Sequence, residues 1–202
     1  MRFLDKLFKI KKKKPSGKNE TEGSSYMPIS DLPLDEKFAV NFKKNGGKFL
    51  YCDSIDEIHK HFGNILSENK WEGTKILCYN KPLEKKFGDF DIEYTETDTA
   101  PTHSFFATCE YLVADTGSIL VSSNQIREKR LGELPDNLII FATTSQIVRT
   151  IGEGLRGIKD KYQDKIPTNI TTVEHFETKA EKNFLTYGSS SKNLYLLLLE
   201  DL

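Results

Sequence analysis

The chain has 202 residues, of which 37 % are hydrophobic and 29 % are charged, and its formal net charge is −1. This length allows one well-buried domain, and the balanced charge argues against a dedicated nucleic-acid-binding protein, which usually carries a large basic excess. No apolar run approaches the ~20 residues that a membrane-spanning helix needs, and no secretory signal is visible. We therefore expect a cytoplasmic protein.

The start of the chain differs in composition from the rest. Residues 1–14 contain seven Lys or Arg residues and one acid, with apolar residues at helical spacing between them. A basic amphipathic helix of this kind can bind an anionic membrane surface or a partner protein, and a solvated terminus is the alternative. We predict a basic N-terminal segment with a flexible linker over residues 1–33 and one domain over residues 34–202.

From residue 34 onward, predicted helices and strands alternate. Helical periodicity is found in LDEKFAVNFKKNG, in SIDEIHKHFGNILSENK after an Asp53 or Ser54 N-cap, in THSFFATCEYLVA and in SQIVRTIGEGLRGIKDKYQDK. The predicted strands are KFLYC, KILCYN, DIEYTET, SILVSS, NLIIFAT and NLYLLLLE, and NITTVEHFET is expected to be extended. The aliphatic runs lack polar alternation, as in strands buried on both faces. This order predicts an α/β fold with a mostly parallel central sheet flanked by helices.

Asp115, Thr116, Gly117 and Ser118 form the tetrapeptide that carries the catalytic carboxylate in aspartic proteases. Those enzymes pair two such carboxylates, whereas this chain has one copy, preceded by a predicted helix. We therefore favour a bend, in which Gly117 provides positive φ or a close backbone approach and the neighbouring side chains bond to backbone amides. The same bend could also present amides and hydroxyls to an anionic ligand.

Two further groups of polar residues are candidates for anion binding. Thr144 and Ser145 follow the predicted strand NLIIFAT, where open α/β sheets usually bind ligands, and plain N-capping by Ser145 is the alternative. Arg127 lies in a predicted loop, where it could close over a carboxylate or phosphate or remain solvated. Neither position indicates a nucleophile or a general base.

The three cysteines and four histidines indicate no metal site. The cysteines are far apart and form no Cys-x-x-Cys pair, so neither an iron–sulfur cluster nor a structural zinc is expected in this chain. His59 and His61 are two residues apart on a predicted helix, so they point to different sides and cannot share a metal.

The order of motifs in the second half of the chain resembles that of the LUD domain, the family of the lactate-utilisation protein C subunit. ADTGSILVSS is followed by a spacer with Arg127 and Arg130, by LPDNLIIFATTSQIV, by a predicted long helix and by LYLLLLED. The resemblance spans about residues 35–202 and is strongest over residues 114–148. It implies a fold like that of ribose-phosphate isomerases and CoA transferases.

The resemblance also implies a role as an accessory subunit in the oxidation of L-lactate to pyruvate. The iron–sulfur clusters would be carried by partner subunits, with no cofactor in this chain. Family members typically have a Gly-Pro-Ser-Arg-Thr-Ala-Asp-Ile-Glu segment before the last strand, and ITTVEHFETKAEKNFLTYGSSSKN stands there instead. This departure leaves open a non-catalytic interaction module with a degenerate pocket, recruited to a membrane or partner by residues 1–14. Fold analogy alone also allows a small isomerase or transferase acting on a phosphorylated or CoA-linked substrate.

We therefore expect one site for a small carboxylate or phosphorylated ligand, with no metal and no assigned catalytic residue. The residues predicted to bind the ligand are Asp115, Thr116, Gly117 and Ser118, with Thr144 and Ser145 opposite them and Arg127 nearby.

Overall fold

The computed structural model describes residues 32–97, 102–176 and 192–202, which form two sheets and the helices packed against them. The described helices are α1 (Leu34–Lys44), α2 (Ile55–Asn69), α3 (Lys81–Lys86), α4 (Ser123–Ile126) and α5 (Ile151–Tyr162). The described strands are β1 (Lys48–Cys52), β2 (Lys75–Leu77), β3 (Glu93–Thr95), β4 (Ser104–Thr108), β5 (Tyr111–Val113), β6 (Ser118–Ser122), β7 (Asn137–Thr143), β8 (Ile147–Val148), β9 (Ile170–Val173) and β10 (Asn193–Leu199). The helix predicted over residues 1–14 lies outside the described residues, and the domain boundary after residue 33 stays a prediction.

Six strands form a parallel central sheet in the order β1–β10–β7–β4–β2–β3. In the central strand β7, Leu138 and Ile140 belong to a core cluster that includes residues of α1 and of the second sheet. Ile139 and Phe141 belong to the cluster on the other face, which includes residues of α2 and α3. Burial on both faces explains why the aliphatic runs show no polar alternation. The predicted α/β fold with a mostly parallel central sheet is confirmed.

Four short strands form a second sheet in the order β8–β5–β6–β9. Strand β6 is antiparallel to both β5 and β9, and β5 pairs with β8 in parallel. Leu112 of β5 and Ile119 of β6 share a core cluster with Phe38 of α1 and Leu196 of β10. The second sheet is therefore packed against the α1 face of the central sheet.

The helix predicted for THSFFATCEYLVA is wrong, because this segment forms strands β4 and β5. Phe105 and Phe106 are adjacent in sequence but belong to the two different core clusters, as the alternation of a strand requires. Burial of both rings on opposite faces of the sheet outweighs the local helical pattern, since tertiary packing overrides weak local propensity.

The helix predicted for SQIVRTIGEGLRGIKDKYQDK begins later than expected. Thr144–Gln146 form a 3₁₀ turn and Ile147–Val148 form β8, which pairs with β5. Helix α5 then starts after Thr150, whose hydroxyl accepts a hydrogen bond from the backbone N–H of Glu153. The residues that were expected to form the first turn of this helix therefore pair with β5 as a strand.

Candidate functional site

The Asp-Thr-Gly-Ser segment forms the turn of the β5–β6 hairpin and is docked on helix α1. The side-chain amide of Asn41 donates to the carbonyl oxygen of Ala114 at 2.8 Å. The side-chain amide of Asn45 donates to the carbonyl oxygen of Thr116, also at 2.8 Å. One amide from the last turn of α1 and one from the residue that follows the helix thus bond to carbonyl groups of the hairpin turn.

The side chains of this turn also bond to protein groups. Lys37 of α1 forms an ion pair with Asp115. Ser118 is fully buried, and its Oγ lies 2.6 Å from Oγ1 of Thr116. None of the four residues of the turn lines the pocket described below. Their ligand-binding role stays a prediction.

Gly117 allows α1 and the hairpin turn to approach closely. Its φ is +69°, in the left-handed region that favours glycine. A Cβ atom at this position would lie 2.3 Å from the backbone carbonyl carbon of Asn41 and from the backbone nitrogen of Phe42. Both reasons given from the sequence for a glycine at the bend, positive φ and a close backbone approach, therefore apply.

Thr144 and Ser145 bind a carboxylate of the chain itself. Oδ1 of Asp201 accepts hydrogen bonds from the Thr144 hydroxyl at 2.9 Å and from the Ser145 backbone N–H at 2.8 Å. The Ser145 hydroxyl donates to Oδ2 at 2.7 Å. Partial burial raises the pKa of Asp201, but the hydrogen bonds from Ser145 and Thr144 outweigh this and lower the pKa to about 2. Asp201 thus occupies the position that we had predicted for a ligand anion.

We expect Asp201→Asn to lower the free energy of unfolding by about 1 kcal/mol at neutral pH, since one charged acceptor is lost at an exposed position. The folded-state pKa of Asp201 lies below the ordinary value of 3.8. The carboxylate therefore contributes stability that is fully present above about pH 4 and is lost as the pH falls towards 2. Urea unfolding should show the difference between wild type and variant shrinking over that window. A difference that stays constant down to about pH 2 would contradict the assignment.

Arg127 contacts the wall of a pocket. Its guanidinium carbon lies 4.1 Å from the ring centroid of Tyr79, and it forms an ion pair with Glu96 at 2.5 Å. Lys81 also pairs with Glu96 at 2.7 Å. Hydrogen bonds from Lys81 and Arg127 hold the pKa of Glu96 below its usual range. Arg127 is therefore charge-paired beside Tyr79, which lines the pocket.

This pocket has a volume of about 460 Å³ and lies beyond the carboxyl ends of β2, β4 and β7. That edge of an open parallel sheet is where α/β proteins usually bind small ligands. The aromatic side chains of Tyr79, Phe141 and Tyr162 contribute to its walls. The lining side chains that can form hydrogen bonds to a ligand include Asn80, Thr108, Asn124, Gln125, Gln146 and Lys161.

A buried carboxylate, that of Glu110, connects four of the lining side chains. Glu110 follows β4 and is 2 % exposed. Its five hydrogen-bond donors are Ser122 Oγ (2.7 Å), Gln125 Nε2 (3.0 Å), Tyr162 Oη (3.0 Å), Lys161 Nζ (3.1 Å) and Asn124 Nδ2 (3.4 Å). These donors come from β6, α4 and α5, so one carboxylate fixes elements that are distant in sequence. A carboxylate saturated in this way has no lone pair left to attack a substrate or accept its proton.

The network keeps both members of the Glu110–Lys161 pair charged. Burial raises the pKa of Glu110, but hydrogen bonds from Ser122, Gln125 and Lys161 outweigh burial and lower it. Burial likewise lowers the pKa of Lys161, but its contacts with Tyr162 and Glu110 raise the pKa above the ordinary value. At neutral pH a carboxylate and an ammonium therefore face each other beside the pocket.

Cys109 and Gln146 complete the side of the pocket next to Glu110. The side-chain amide of Gln146 donates to the backbone carbonyl of Cys109 at 2.7 Å, which fixes the 3₁₀ turn against the end of β4. Burial raises the pKa of the Cys109 thiol well above its usual range. The thiol therefore stays protonated at neutral pH and is a poor nucleophile.

A second pocket of about 450 Å³ lies at the opposite edge of the central sheet. It is lined by residues at the start of β1 and on the facing side of α2, among them Lys48, His61 and Asn64. Nζ of Lys48 donates to the hydroxyl of Tyr195 at 2.6 Å, so this cation already has a protein partner. The pocket at the carboxyl ends is the stronger candidate, because strand ends and loops converge there.

Sequence reasoning found one residue of this region, Arg127, and missed the lining residues and Glu110. The segment FFATCEYLVA holds a single acid among apolar residues, and a charge in such a run is a signal of a buried, paired group. The helix predicted for this segment hides that signal.

Comparison with known proteins gives a family and a fold. The family model of the LUD domain matches residues 79–199. A crystal structure of a DUF162 family protein from Deinococcus radiodurans superposes with a TM-score of 0.59 and 14 % sequence identity, covering 87 % of this chain and 99 % of that one. Comparison with curated proteins gave no significant match.

Two further properties follow from the described ranges. None of the helices within them is long and apolar enough to cross a membrane. In the same part of the chain, no group of three or more His, Cys, Asp or Glu side chains is placed to hold a metal ion.

The family match covers more than half of the chain and includes every residue named above as lining the first pocket. The chain therefore belongs to the LUD domain family.

Proposed function

We propose that this LUD-domain protein is an accessory subunit in the oxidation of L-lactate to pyruvate, working with partner proteins that carry iron–sulfur clusters. Its contribution is a binding site for the small carboxylate in the pocket beside Glu110. The observation that carries the proposal is the position of this polar pocket, with a lysine and several amide side chains at the carboxyl edge of a LUD-domain sheet.

The side chains of the pocket suit a 2-hydroxy or 2-oxo carboxylate. Lys161 supplies the positive charge for a carboxylate, and charge-assisted hydrogen bonds of this kind are stronger than neutral ones. The amides of Gln125 and Gln146 and the hydroxyl of Thr108 can bond the remaining oxygen atoms. Oxidation of lactate releases two electrons and two protons, and in this proposal the electrons pass to the clusters of the partner proteins and the protons to solvent water.

A reconstituted reaction tests the proposal. Purified iron–sulfur partner proteins are assayed for L-lactate-dependent reduction of a dye, with and without this chain. We expect the rate to require the chain and to fall by about tenfold or more with Lys161→Met, because the carboxylate loses its cation. Lys159→Met is the matched control, since Lys159 is an exposed lysine of the same helix and does not line the pocket. A rate that is unchanged when the chain is omitted would refute the proposal.

A cytoplasmic location belongs to the same proposal, whereas recruitment to a membrane by residues 1–14 belongs to the alternative, a non-catalytic interaction module with a degenerate pocket. Co-sedimentation of the full chain with anionic liposomes, compared with a chain that lacks residues 1–14, measures that contact. Equal sedimentation of the two forms would remove the membrane from that alternative and would not bear on the carboxylate site.

A further inference from the structure

The charge of the pocket comes from one ion pair. Lys161 is the one charged side chain among the described residues that line it. Its Nζ lies 3.1 Å from Oε2 of Glu110, and the lysine side chain is 52 % exposed whereas that of Glu110 is 0 % exposed. The pair therefore has a partly solvated cation and a buried anion, with no net charge.

Other cations near the pocket do not change this balance. Arg127 stacks on Tyr79 but is paired with Glu96. Lys86 lies over the ring of Phe141, 4.8 Å from its centroid, and is exposed to solvent, where salt screens its charge. The charge of the Glu110 carboxylate is screened much less, because the carboxylate is buried.

We propose that the Glu110–Lys161 pair makes the pocket selective for organic anions with a single negative charge. Glu110 is the positioning residue, since it holds Lys161 in place and sets the net charge that a ligand meets. The inference rests on the pocket being the ligand site of the proposed function, and it assigns to Glu110 the exclusion of ligands that carry a second negative charge.

The selectivity follows from what each negative charge of a ligand would meet. The first anionic group takes an N–H of Lys161, which has three donors and uses others on Glu110 and Tyr162. A second anionic group finds no further charged lining residue among those described, and it is repelled by the fixed charge of Glu110. Monocarboxylates such as lactate and pyruvate have only the first anionic group, so they can bind Lys161 without the repulsion that a second group would meet.

Titration calorimetry with two ligands of nearly equal size tests the selectivity. Succinate carries two charges at neutral pH, and succinamate carries one. We expect wild-type protein to bind succinamate at least as tightly as succinate. The fixed negative charge repels each anionic group of a ligand, so removing it strengthens binding once for a monoanion and twice for a dianion. If the affinity for the monoanion rises by a given factor, the affinity for the dianion rises by about the square of that factor. Glu110→Gln should therefore shift the preference towards succinate by about tenfold.

Two controls separate charge from structure. A purely structural effect of Glu110→Gln would change both affinities by a common factor and leave their ratio unchanged. Asp160→Asn removes an exposed carboxylate next to Lys161 on the same helix. For this variant the ratio of the affinities for succinamate and succinate should stay within about twofold of the wild-type ratio. Lys161→Met should weaken both ligands by about tenfold or more.

The outcomes distinguish this inference from the proposed function. A wild-type preference for succinate, or an unchanged ratio in folded Glu110→Gln, would overturn the monoanion inference while the reconstituted reaction could still require the chain. If Glu110→Gln does not fold, the inference is tested by the ratio of the wild-type affinities for succinamate and succinate, together with the loss of affinity for both ligands in Lys161→Met. Absence of binding by both ligands at millimolar concentration would overturn the ligand site together with the inference.

Discussion

Gly117→Ala is expected to lower the free energy of unfolding by about 3 kcal/mol or more. The new Cβ would lie 2.3 Å from backbone atoms of Asn41 and Phe42, and backbone atoms cannot rotate away as a flexible side chain can. Helix α1 would have to move off the hairpin turn, and its bonds from Asn41 and Asn45 to that turn would be lost. Urea unfolding followed by circular dichroism measures the change.

Gly73→Ala is the matched control, because it isolates the effect of backbone conformation. Its φ is +67°, close to the +69° of Gly117, but a Cβ there would meet only Oδ2 of Asp91, at 3.9 Å. We expect a loss of about 1 kcal/mol for the left-handed conformation alone. Equal losses for the two variants would contradict the close packing of α1 on the hairpin turn.

Glu110→Ala is expected to lower the free energy of unfolding by about 3 kcal/mol and to abolish ligand binding. The change deprives five donors of their common acceptor, and the fully buried hydroxyl of Ser122 keeps only Oε1 of Gln125 as an acceptor, at 3.0 Å. The hydrogen bonds that are lost are bonds to a charged acceptor, which are the stronger ones, and the missing side chain leaves a cavity. Helices α4 and α5 would then lose the group that holds their ends beside the pocket.

Glu110→Gln should cost less stability than Glu110→Ala, because one oxygen remains as an acceptor for Ser122 and Gln125. Thermal or urea unfolding of both variants gives the comparison. If Glu110→Ala lost less than about 1 kcal/mol, the carboxylate would not organise the pocket wall. In that case the ligand site would have to be sought elsewhere.

Most of the fold could be predicted from sequence because its strongest signals are local. Helix α2 has its N-cap at Ser54, one of the two residues proposed, and its apolar periodicity corresponds to the buried face. Strands β7 and β10 are long aliphatic runs, which are typical of the centre of a parallel sheet. The segment of β4 and β5 was wrongly predicted as a helix, because the alternate burial of Phe105 and Phe106 depends on partners that are distant in the chain.

The candidate site was harder to predict, because its residues converge only through the topology. Thr144 and Ser145 were correctly placed at a strand end, but the group that they bind is Asp201, more than fifty residues later. The donors of Glu110 likewise come from three separate elements; Ser122 and Gln125 share a local capping box, but nothing local links them to Lys161. Arg127 was identified from its charge alone, which does not reveal its contact with Tyr79.

Nuclear magnetic resonance mapping of the ligand-binding site on the protein tests the location of that site most directly. Amide spectra of the full-length, nitrogen-labelled protein are recorded during titration with pyruvate and L-lactate. We expect the largest shifts at Thr108, Gln125, Gln146 and Lys161, which line the pocket beside Glu110. Shifts centred on the 115–118 turn, or unchanged spectra at millimolar ligand, would contradict a carboxylate site at the carboxyl edge of the central sheet.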